Sequence, residues 1–239
     1  MPKLPILMYH SVSANANDSK GLTISTSNLE TQFKFLKDNG YTSLHFSDLQ
    51  NIKTPQDFPE KAVIITFDDV YVNQLEYAYP LLQQYGLKAC FYIPFQYVGG
   101  VNEWDEGQEP IMSVAQLKSL DSKTIELGLH SFEHKRFDLM TSQEIALDFE
   151  KCIAFQDKYQ LDLSNILAYP YGKYPKKGKE KQHFFELLNG FKVAYGLRIG
   201  NRVNTFPFKN NYEVQRLDIK GEDTLKSFER KLKKGKSWF

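Results

Sequence analysis

The chain contains 239 residues, enough for one α/β barrel or for two smaller domains. Its 30 lysines and arginines nearly balance its 29 aspartates and glutamates, which argues against a general nucleic-acid-binding protein, because such proteins are usually basic. Hydrophobic residues make up 41% of the chain, which is typical of a folded globular protein. The two cysteines, Cys90 and Cys152, lie in apolar patterns and are predicted to be buried and reduced.

The N-terminal segment does not resemble a secretory signal. Met1–Val12 contains one lysine, only a short apolar run and no small-residue cleavage site. No stretch approaches the ~20 apolar residues that a membrane-spanning helix needs. We therefore expect a cytoplasmic protein without a transmembrane segment; an extracytoplasmic location is the alternative if the natural chain begins earlier.

Apolar runs with β-branched residues predict eight strands. In chain order they are Leu4–His10, Tyr41–Phe46, Ala62–Phe67, Ala89–Ile93, Thr124–Leu129, Asn165–Tyr169, Phe191–Leu197 and Glu213–Ile219. Most of them are separated by segments with helical spacing and short connections.

Capping pairs mark the start of three predicted helices. The pairs are Ser27 with Glu30, Ser113 with Gln116, and Thr141 with Glu144. The helix after Thr141 is predicted to be amphipathic, with one stripe that contains Ile145, Phe149, Cys152, Ile153 and Gln156. A last helix through Leu225, Phe228 and Leu232 leads into a lysine-rich tail.

Alternating strands and helices predict a parallel α/β layout. Seven or eight strands in a chain of this length favour a distorted (β/α) barrel with mostly parallel strands over an open doubly wound sheet. We predict a single domain over residues 1–239, with a core at about 4–220 and a C-terminal helix and basic tail at 222–239. The sequence lacks a glycine-rich dinucleotide motif after its first strand and lacks a P-loop, which argues against nucleotide-binding versions of this layout.

Polar residues stand at the ends of several predicted strands. The apolar run Ala62–Phe67 ends in two adjacent carboxylates, Asp68 and Asp69. Two unpaired charges cannot share a dry interior, so these acids either face water or hold a cation. His10 ends the first strand, and His130 follows the fifth.

His134 lies four residues after His130, and Tyr171 follows the sixth strand. The carboxyl ends of parallel strands lie on one face of a barrel, where ligands bind. The sequence therefore predicts that all of these residues meet at one site.

One aspartate and two histidines form a ligand set that suits Zn²⁺ or a related divalent ion. Three protein ligands leave a fourth position for water, which is the arrangement of a catalytic site. Such an ion lowers the pKa of water and polarises a carbonyl, and a second carboxylate can take the proton. Because Asp68 and Asp69 cannot point the same way from an extended chain, one can bind the ion while the other reaches the water. Taken separately, the acids could instead cap a helix and the histidines could lie on a solvated helix face.

Three motifs resemble, in the same order, the first three motifs of the polysaccharide deacetylases, the NodB-homology enzymes of carbohydrate esterase family 4. They are Thr66-Phe67-Asp68-Asp69, His130-Ser131-Phe132-Glu133-His134 and Tyr169-Pro170-Tyr171-Gly172. The resemblance extends from about Ile6 to the strand near Arg216. The first two motifs are specific in combination and weak when taken singly.

The resemblance implies a distorted (β/α) barrel and metal-dependent removal of acetyl groups from sugars, most simply N-acetyl groups. By position, Asp68 would be the general base, and Asp69, His130 and His134 would hold the metal. The backbone N–H of Tyr171 would help to stabilise the oxyanion. Zinc is the expected ion, with Co²⁺ and Ni²⁺ as alternatives.

The sequence departs from the family pattern at three places. Ala168 replaces the arginine that normally opens the third motif and orients the base; Arg216 is our candidate substitute, with a structural ion pair as the alternative. The usual C-terminal Leu-x-His, which supplies the general acid, is absent. In a branch that resembles the poly-N-acetylglucosamine deacetylases, the late motifs are permuted to the N-terminus, and on that pattern we assign His10, after Tyr9, as the acid. Val70 replaces the usual glycine after the aspartate pair and is expected to narrow the pocket.

The resemblance implies an acetylated amino-sugar glycan or a lipid-linked sugar precursor as the substrate. Trp104, near Tyr97, is a candidate for stacking on a sugar ring, although loop aromatics often only hold a loop in place. The lysine-rich tail, residues 231–236, could contact a membrane surface peripherally or be solvated. The departures from the pattern leave a second hypothesis open, a non-catalytic carbohydrate-binding or assembly module that has kept the fold.

Overall fold

The computed structural model describes residues 1–105 and 107–235. The end of the predicted basic tail, residues 236–239, lies outside the described residues. The strands are β1 (Lys3–Leu4), β2 (Ile6–Tyr9), β3 (Ser11–Ser13), β4 (Thr23–Ser25), β5 (Thr42–Ser43), β6 (Ala62–Asp68), β7 (Ala89–Ile93), β8 (Ile125–Leu129), β9 (Ile166–Ala168), β10 (Tyr195–Ile199), β11 (Asn204–Thr205) and β12 (Val214–Asp218).

The helices lie mostly between the barrel strands. They are α1 (Thr26–Asp38), α2 (Tyr79–Tyr85), α3 (Val114–Ser119), α4 (Ser142–Tyr159), α5 (Gly178–Gly190) and α6 (Leu225–Lys234). A π-helical turn, Gln74–Ala78, leads directly into α2. In the part of the chain that the structure covers, no helix has the length and apolar character needed to cross a membrane.

Seven parallel strands form a closed ring in the order β2, β12, β10, β9, β8, β7 and β6, and the pairing of β6 with β2 closes it. The short strand β5 pairs in parallel with the start of β6. Outside the ring, β1 pairs antiparallel with β11. This arrangement confirms the predicted distorted barrel with seven or eight mostly parallel strands.

Alternation along β6 decides which of its side chains point into the ring. Val63, Ile65 and Phe67 belong to the main core with the helices. Ala62 and Ile64 belong to a second buried cluster, which also contains residues of the other ring strands. Because side chains alternate with a period of two residues, Asp68 continues the inward series and reaches the carboxyl end of the ring interior.

The first predicted capping box is wrong. The helix α1 begins at Thr26, and Ser25 is its N-cap, whose side chain accepts a hydrogen bond from the N–H of Asn28. The strand β4 runs straight into the helix, so Ser25 has the extended backbone that an N-cap needs, and Ser27 falls inside the first turn. The other two boxes are confirmed, with reciprocal side-chain and backbone bonds at Ser113 and Thr141.

Two predicted strands have a boundary that lies three or more residues from its place in the structure. The strand predicted at Tyr41–Phe46 keeps only Thr42–Ser43. The N–H of Leu44 still donates to the main-chain oxygen of Val63 on β6, but the N–H groups of His45 and Phe46 donate to the side chains of Asp48 and Glu126. The strand predicted from Phe191 begins at Tyr195, because α5 runs to Gly190 and its C-terminal bonds extend to Val193.

Two side chains are placed differently from expectation. Ile153 is predicted to lie in the stripe with Ile145, Phe149 and Cys152, but it is 43% exposed, whereas those three are buried. Lys231, the first residue of the lysine-rich tail, is buried in α6 and donates to Asp223 and to the main-chain oxygen of Asp218.

Candidate metal centre

A cavity of about 840 Å³ opens at the carboxyl ends of the barrel strands. Its wall includes all of the polar strand-end residues that the sequence predicted to meet. They are His10, Asp68, Asp69, His130, His134 and Tyr171. The closed ring brings them together because each follows a parallel strand that runs in the same direction.

Asp69, His130 and His134 form the centre of this cavity. Asp69 Oδ1 lies 3.5 Å from His130 Nε2 and 3.4 Å from His134 Nε2. The two imidazole nitrogens are 3.2 Å apart, and the donor atoms of all three residues lie within 4.8 Å of one another. All three side chains are buried. Three donor atoms thus converge on one point that a single cation could occupy.

The two histidines belong to a turn that directly follows β8. His130 Nδ1 lies 2.8 Å from the main-chain oxygen of Ala168, so this nitrogen donates and Nε2 keeps its lone pair toward the centre. Ser131 and His134 have left-handed backbones with φ of 63° and 54°. The Asp148 carboxylate on α4 accepts the N–H of Phe132 at 2.9 Å and therefore holds the middle of the turn.

Asp69 leaves the strand direction immediately after Asp68. Its φ is 76°, a left-handed conformation that an aspartate tolerates better than most residues. Its N–H donates to the main-chain oxygen of Tyr92 at 3.0 Å. The turn separates the two adjacent carboxylates, so that Asp69 faces the histidines and Asp68 faces the ring interior.

The donor atoms of this centre suit a cation. Burial lowers the pKa of His130 to about 4 and that of His134 to about 2, so both imidazoles are neutral, as metal ligands must be. Burial, with the neighbouring Asp68, raises the pKa of Asp69 well above its usual range. Asp69 Oδ1 is buried and has no hydrogen-bond partner among the described residues. A cation at this point would favour the charged form of Asp69, and one carboxylate with two neutral imidazoles fits a divalent ion such as zinc.

Asp68 is paired with Arg216, which lies on β12. Arg216 Nη1 and Nη2 donate to Asp68 Oδ1 and Oδ2 at 2.5 and 2.8 Å, and Nη1 also lies 3.2 Å from Thr66 Oγ1. Both side chains are buried, and the ring of Tyr92 lies beneath the guanidinium. Burial alone would raise the pKa of Asp68, but Arg216 and His130 together hold it well below its usual range. Asp68 is therefore a charged carboxylate at the wall of the cavity.

His10 lies on the other side of Asp68. Its Nε2 is 3.7 Å from Asp68 Oδ2, and its side chain is 13% exposed toward the cavity. Burial lowers the pKa of His10, and the charge of Asp68 partly opposes that effect. An imidazole at this place can reach both the carboxylate and a group bound in the cavity.

Tyr171 and Trp104 form the outer wall next to His134. Tyr171 has a left-handed backbone with φ of 58°, and the residue is 45% exposed. The centre of its ring lies 4.8 Å from the centre of the His134 ring. The ring of Trp104 lies 4.3 Å from the His134 ring and 4.7 Å from that of Tyr97. Trp104 thus holds its loop against the site and also lines the cavity.

The departures from the family pattern have distinct places in the fold. Ala168 faces the ring interior, and its carbonyl orients His130. Val70 is wholly buried in the main core and does not line the cavity, so the expectation that it narrows the pocket is wrong. Asp148, which sequence reasoning missed, is a buried acid between Ile145 and Phe149 on the apolar stripe of α4, and that position was the available signal.

A family model described as polysaccharide deacetylase matches residues 55–187. Among curated proteins, the chain is 31% identical over 173 residues to YxkH of Bacillus subtilis (strain 168), whose name places it among polysaccharide deacetylases. The match covers 72% of this chain and 58% of that protein. A poly-beta-1,6-N-acetyl-D-glucosamine N-deacetylase of Staphylococcus aureus (strain N315) is 25% identical over 215 residues, covering 86% of this chain and 71% of that one.

Solved structures share the fold. The Streptococcus pyogenes deacetylase PplD, in complex with acetate, superposes with a TM-score of 0.79 at 19% identity and covers 98% of this chain and 100% of its own. IcaB from Ammonifex degensii superposes with a TM-score of 0.73 at 20% identity, and the match covers 97% of this chain and 96% of IcaB. The chain belongs to the polysaccharide deacetylase family.

Proposed function

We propose that this chain is a metal-dependent deacetylase that hydrolyses the acetamide of an acetylated amino sugar. The observation that carries this proposal is the convergence of Asp69, His130 and His134 beside a separate, charged carboxylate, Asp68. In this proposal the three converging residues hold a divalent ion, with zinc as the first choice and Co²⁺ or Ni²⁺ as alternatives. A divalent ion at this point would act as a Lewis acid that polarises a carbonyl and makes water more acidic.

The chain's own residues move the protons in this proposal. A water molecule adds to the acetyl carbon, and Asp68 takes one of its protons. The C–N bond then breaks while His10 gives a proton to the departing nitrogen, so that a free amine and acetic acid leave, and the acetic acid releases its proton to solvent as acetate. Exchange with solvent afterwards returns Asp68 to its charged form and His10 to its protonated form.

Arg216 and Tyr171 support these steps. Arg216 keeps Asp68 charged and fixes its orientation through two hydrogen bonds, the task that the family's third-motif arginine usually performs. The main-chain N–H of Tyr171, on the cavity wall, is proposed to donate to the oxygen of the acetyl group as negative charge develops on it. The pairing of Arg216 with Asp68 also weakens one of the two reasons for the alternative of a non-catalytic binding module, the missing third-motif arginine.

The proposed substrate class is an acetylated amino-sugar glycan. The named substrate of the Staphylococcus aureus relative, poly-beta-1,6-N-acetyl-D-glucosamine, supports this choice. The cavity is also within the size range of about 300–1,000 Å³ that is usual for ligand sites, and aromatic side chains border it. A lipid-linked acetylated sugar is the other candidate.

The test is acetate release from acetylated hexosamine oligomers by the wild-type chain and by Asp68→Asn, with bound metal measured by elemental analysis. We expect the wild type to contain metal and to release acetate, and Asp68→Asn to keep the metal but lose the activity. Asp157→Asn, which changes an exposed acid on α4, is the matched control and should match the wild type. Wild-type rates in Asp68→Asn, or a wild type that binds no divalent ion, would refute the mechanism.

A further inference from the structure

Gln74 is a buried side chain for which the mechanism above has no role. Its Nε2 donates to the main-chain oxygen of His10 at 2.9 Å and to that of Asp68 at 2.6 Å. The residue has no exposed surface. The two acceptors fix the orientation of its amide, because an amide oxygen in the same place would face two other oxygens.

The two carbonyls lie where two strands of the ring part. The strands β2 and β6 are paired through Met8 with Thr66 and Tyr9 with Phe67, so His10 and Asp68 are the next residues in the same register. The pairing stops there because the chain turns away into β3, which pairs with β4. The Gln74 amide therefore connects the two main chains at the first position beyond the ladder.

The same hydrogen bond also fixes the peptide between Asp68 and Asp69. The carbonyl of this peptide accepts from Gln74, and its N–H donates to the main-chain oxygen of Tyr92. A peptide that is held at both ends cannot rotate freely. Its orientation sends the Asp68 side chain toward Arg216 and the Asp69 side chain toward the histidines.

The local helix geometry places Gln74 at this point. Gln74 opens the π-helical turn Gln74–Ala78 ahead of α2, and its own N–H donates to the main-chain oxygen of Tyr71 at 2.9 Å. Single π-helical turns recur at functional sites, because their extra residue redirects side chains. Here the turn directs the side-chain amide of Gln74, whose NH2 group can donate twice, into the seam between β2 and β6.

We propose that Gln74 is a positioning residue that sets the separation and orientation of His10 and Asp68. Their side chains approach to 3.7 Å between Nε2 and Oδ2, and nothing in the strand ladder fixes the main chain of His10 at that level. This inference rests on the proposed function, since it takes His10 as the acid and Asp68 as the base. A displacement of about 1 Å at reacting groups can cost roughly 100-fold in rate.

Gln74→Met tests the proposal, because methionine has nearly the same length and removes both donors. Two substrates separate an effect on His10 from a general loss of activity. The amine of an acetylated hexosamine oligomer needs a proton in order to leave, whereas the phenolate of 4-nitrophenyl acetate leaves without one. Asp68 is also held by Arg216, so the change should displace His10 more than Asp68. We expect kcat for the amide to fall by about 10- to 100-fold, with a smaller fall for the ester. KM for the amide should change by less than about threefold, because ground-state binding is untouched.

Gln32→Met is the matched control. Gln32 is also a buried glutamine, and its side-chain oxygen accepts from Tyr9 at 2.6 Å, whereas no hydrogen bond among the described residues joins its side chain to a residue of the cavity wall. The ratio of amide to ester rates should equal that of the wild type in this control. All variants are compared at saturating Zn²⁺ with metal content measured, so that a loss of metal is not mistaken for a loss of positioning.

Gln74→Glu supplies a graded second variant and replaces Gln74→Met if that variant does not fold. A buried carboxyl between two carbonyls is driven to its neutral form and keeps one O–H donor. The ratio of amide to ester rates in Gln74→Glu should therefore fall between the ratios of the wild type and Gln74→Met. A crystal structure of either variant should show the His10–Asp68 side-chain separation changed by about 1 Å, consistent with the rate loss.

The proposal is overturned if the Gln74 variants keep the wild-type amide-to-ester ratio, if Gln32→Met lowers that ratio equally, or if the His10–Asp68 separation does not change. A wild-type chain that releases no acetate from the oligomer at saturating Zn²⁺ is a different result. It would refute the proposed function itself, whatever the Gln74 variants do.

Discussion

Arg216 donates two hydrogen bonds to the two carboxylate oxygens of Asp68, although the residues lie 148 positions apart in the chain. Both side chains are fully buried, so each charge depends on the other. A buried pair of this kind is weak evidence for overall stability, but its disruption is costly because one charge is left without a partner.

Arg216→Met should therefore reduce the free energy of unfolding by about 3–5 kcal/mol and abolish acetate release. Urea denaturation followed by circular dichroism measures the first effect. The double variant Asp68→Asn/Arg216→Met should recover part of the lost stability, because no unpaired charge remains. Arg136→Met, which breaks the exposed pair with Asp138, is the control and should cost no more than about 1 kcal/mol. Equal losses at the buried and exposed arginines would contradict this account.

The proposed metal ligands predict a stability effect that needs no substrate. A divalent ion that binds only the folded chain adds about 2.7 kcal/mol to the free energy of unfolding at a concentration 100 times its Kd. Zn²⁺ should produce this increase in chelator-treated wild-type protein. His134→Ala should show little or none of it, and His183→Ala, an exposed histidine on α5, should behave as wild type. An undiminished response in His134→Ala would remove that residue from the ligand set.

Asp148 predicts how stability depends on pH. Burial raises its pKa from the ordinary 3.8 to about 6 in the folded chain, even though it accepts backbone N–H groups of the histidine turn. Between about pH 4 and 6 the folded state therefore holds a proton that the unfolded state has released. The contribution of Asp148 to the free energy of unfolding is therefore fully present below about pH 4 and is lost as the pH rises from about 4 to 6.

Asp148→Asn keeps an acceptor for Phe132 but does not titrate. Relative to this variant, the wild type should lose on the order of 2–3 kcal/mol of unfolding free energy between pH 4 and pH 7. Urea denaturation of both proteins at several pH values measures the difference. Parallel stability curves across that range would show that Asp148 does not titrate with a raised pKa.

Val70 combines a fully buried side chain with φ of 45°, a conformation that β-branched residues rarely adopt. Val70→Gly loses about 1.5–3 kcal/mol of burial. It also relieves strain of about 1–3 kcal/mol. The two effects should nearly cancel, so that the free energy of unfolding changes by no more than about 1 kcal/mol. Val214→Gly removes an equally buried valine from a regular strand and should cost at least about 1–2 kcal/mol more. Equal costs at the two positions would show that the backbone at Val70 stores no strain.

The barrel and most of the candidate site could be predicted from local sequence patterns. Asp68, Asp69 and His130 follow apolar runs that became ring strands, and the common direction of parallel strands was enough to bring their ends together. The inward direction of Asp68 also follows from the alternation that places Ile64 inside the ring.

The remaining features depend on contacts between distant parts of the chain. Arg216 reaches Asp68 across the ring, because β12 lies between β10 and β2, and no local pattern determines that strand order. Gln74 resembles any polar residue ahead of a helix until the seam between β2 and β6 supplies its two acceptors. The cap at Ser25 was missed because it depends on β4 running directly into α1.

The strand order of the ring has a consequence for synthesis of the chain on the ribosome. The strand β12 is the last of the ring strands to be made, yet it must enter between β10 and β2, which is the first. Until it does, the barrel has an open seam and the carboxylate of Asp68 lacks the guanidinium of Arg216. A stop codon ahead of Val214 would therefore leave an open barrel and an uncompensated buried acid together, and the truncated product should be recognised by proteases rather than persist as an inactive fold.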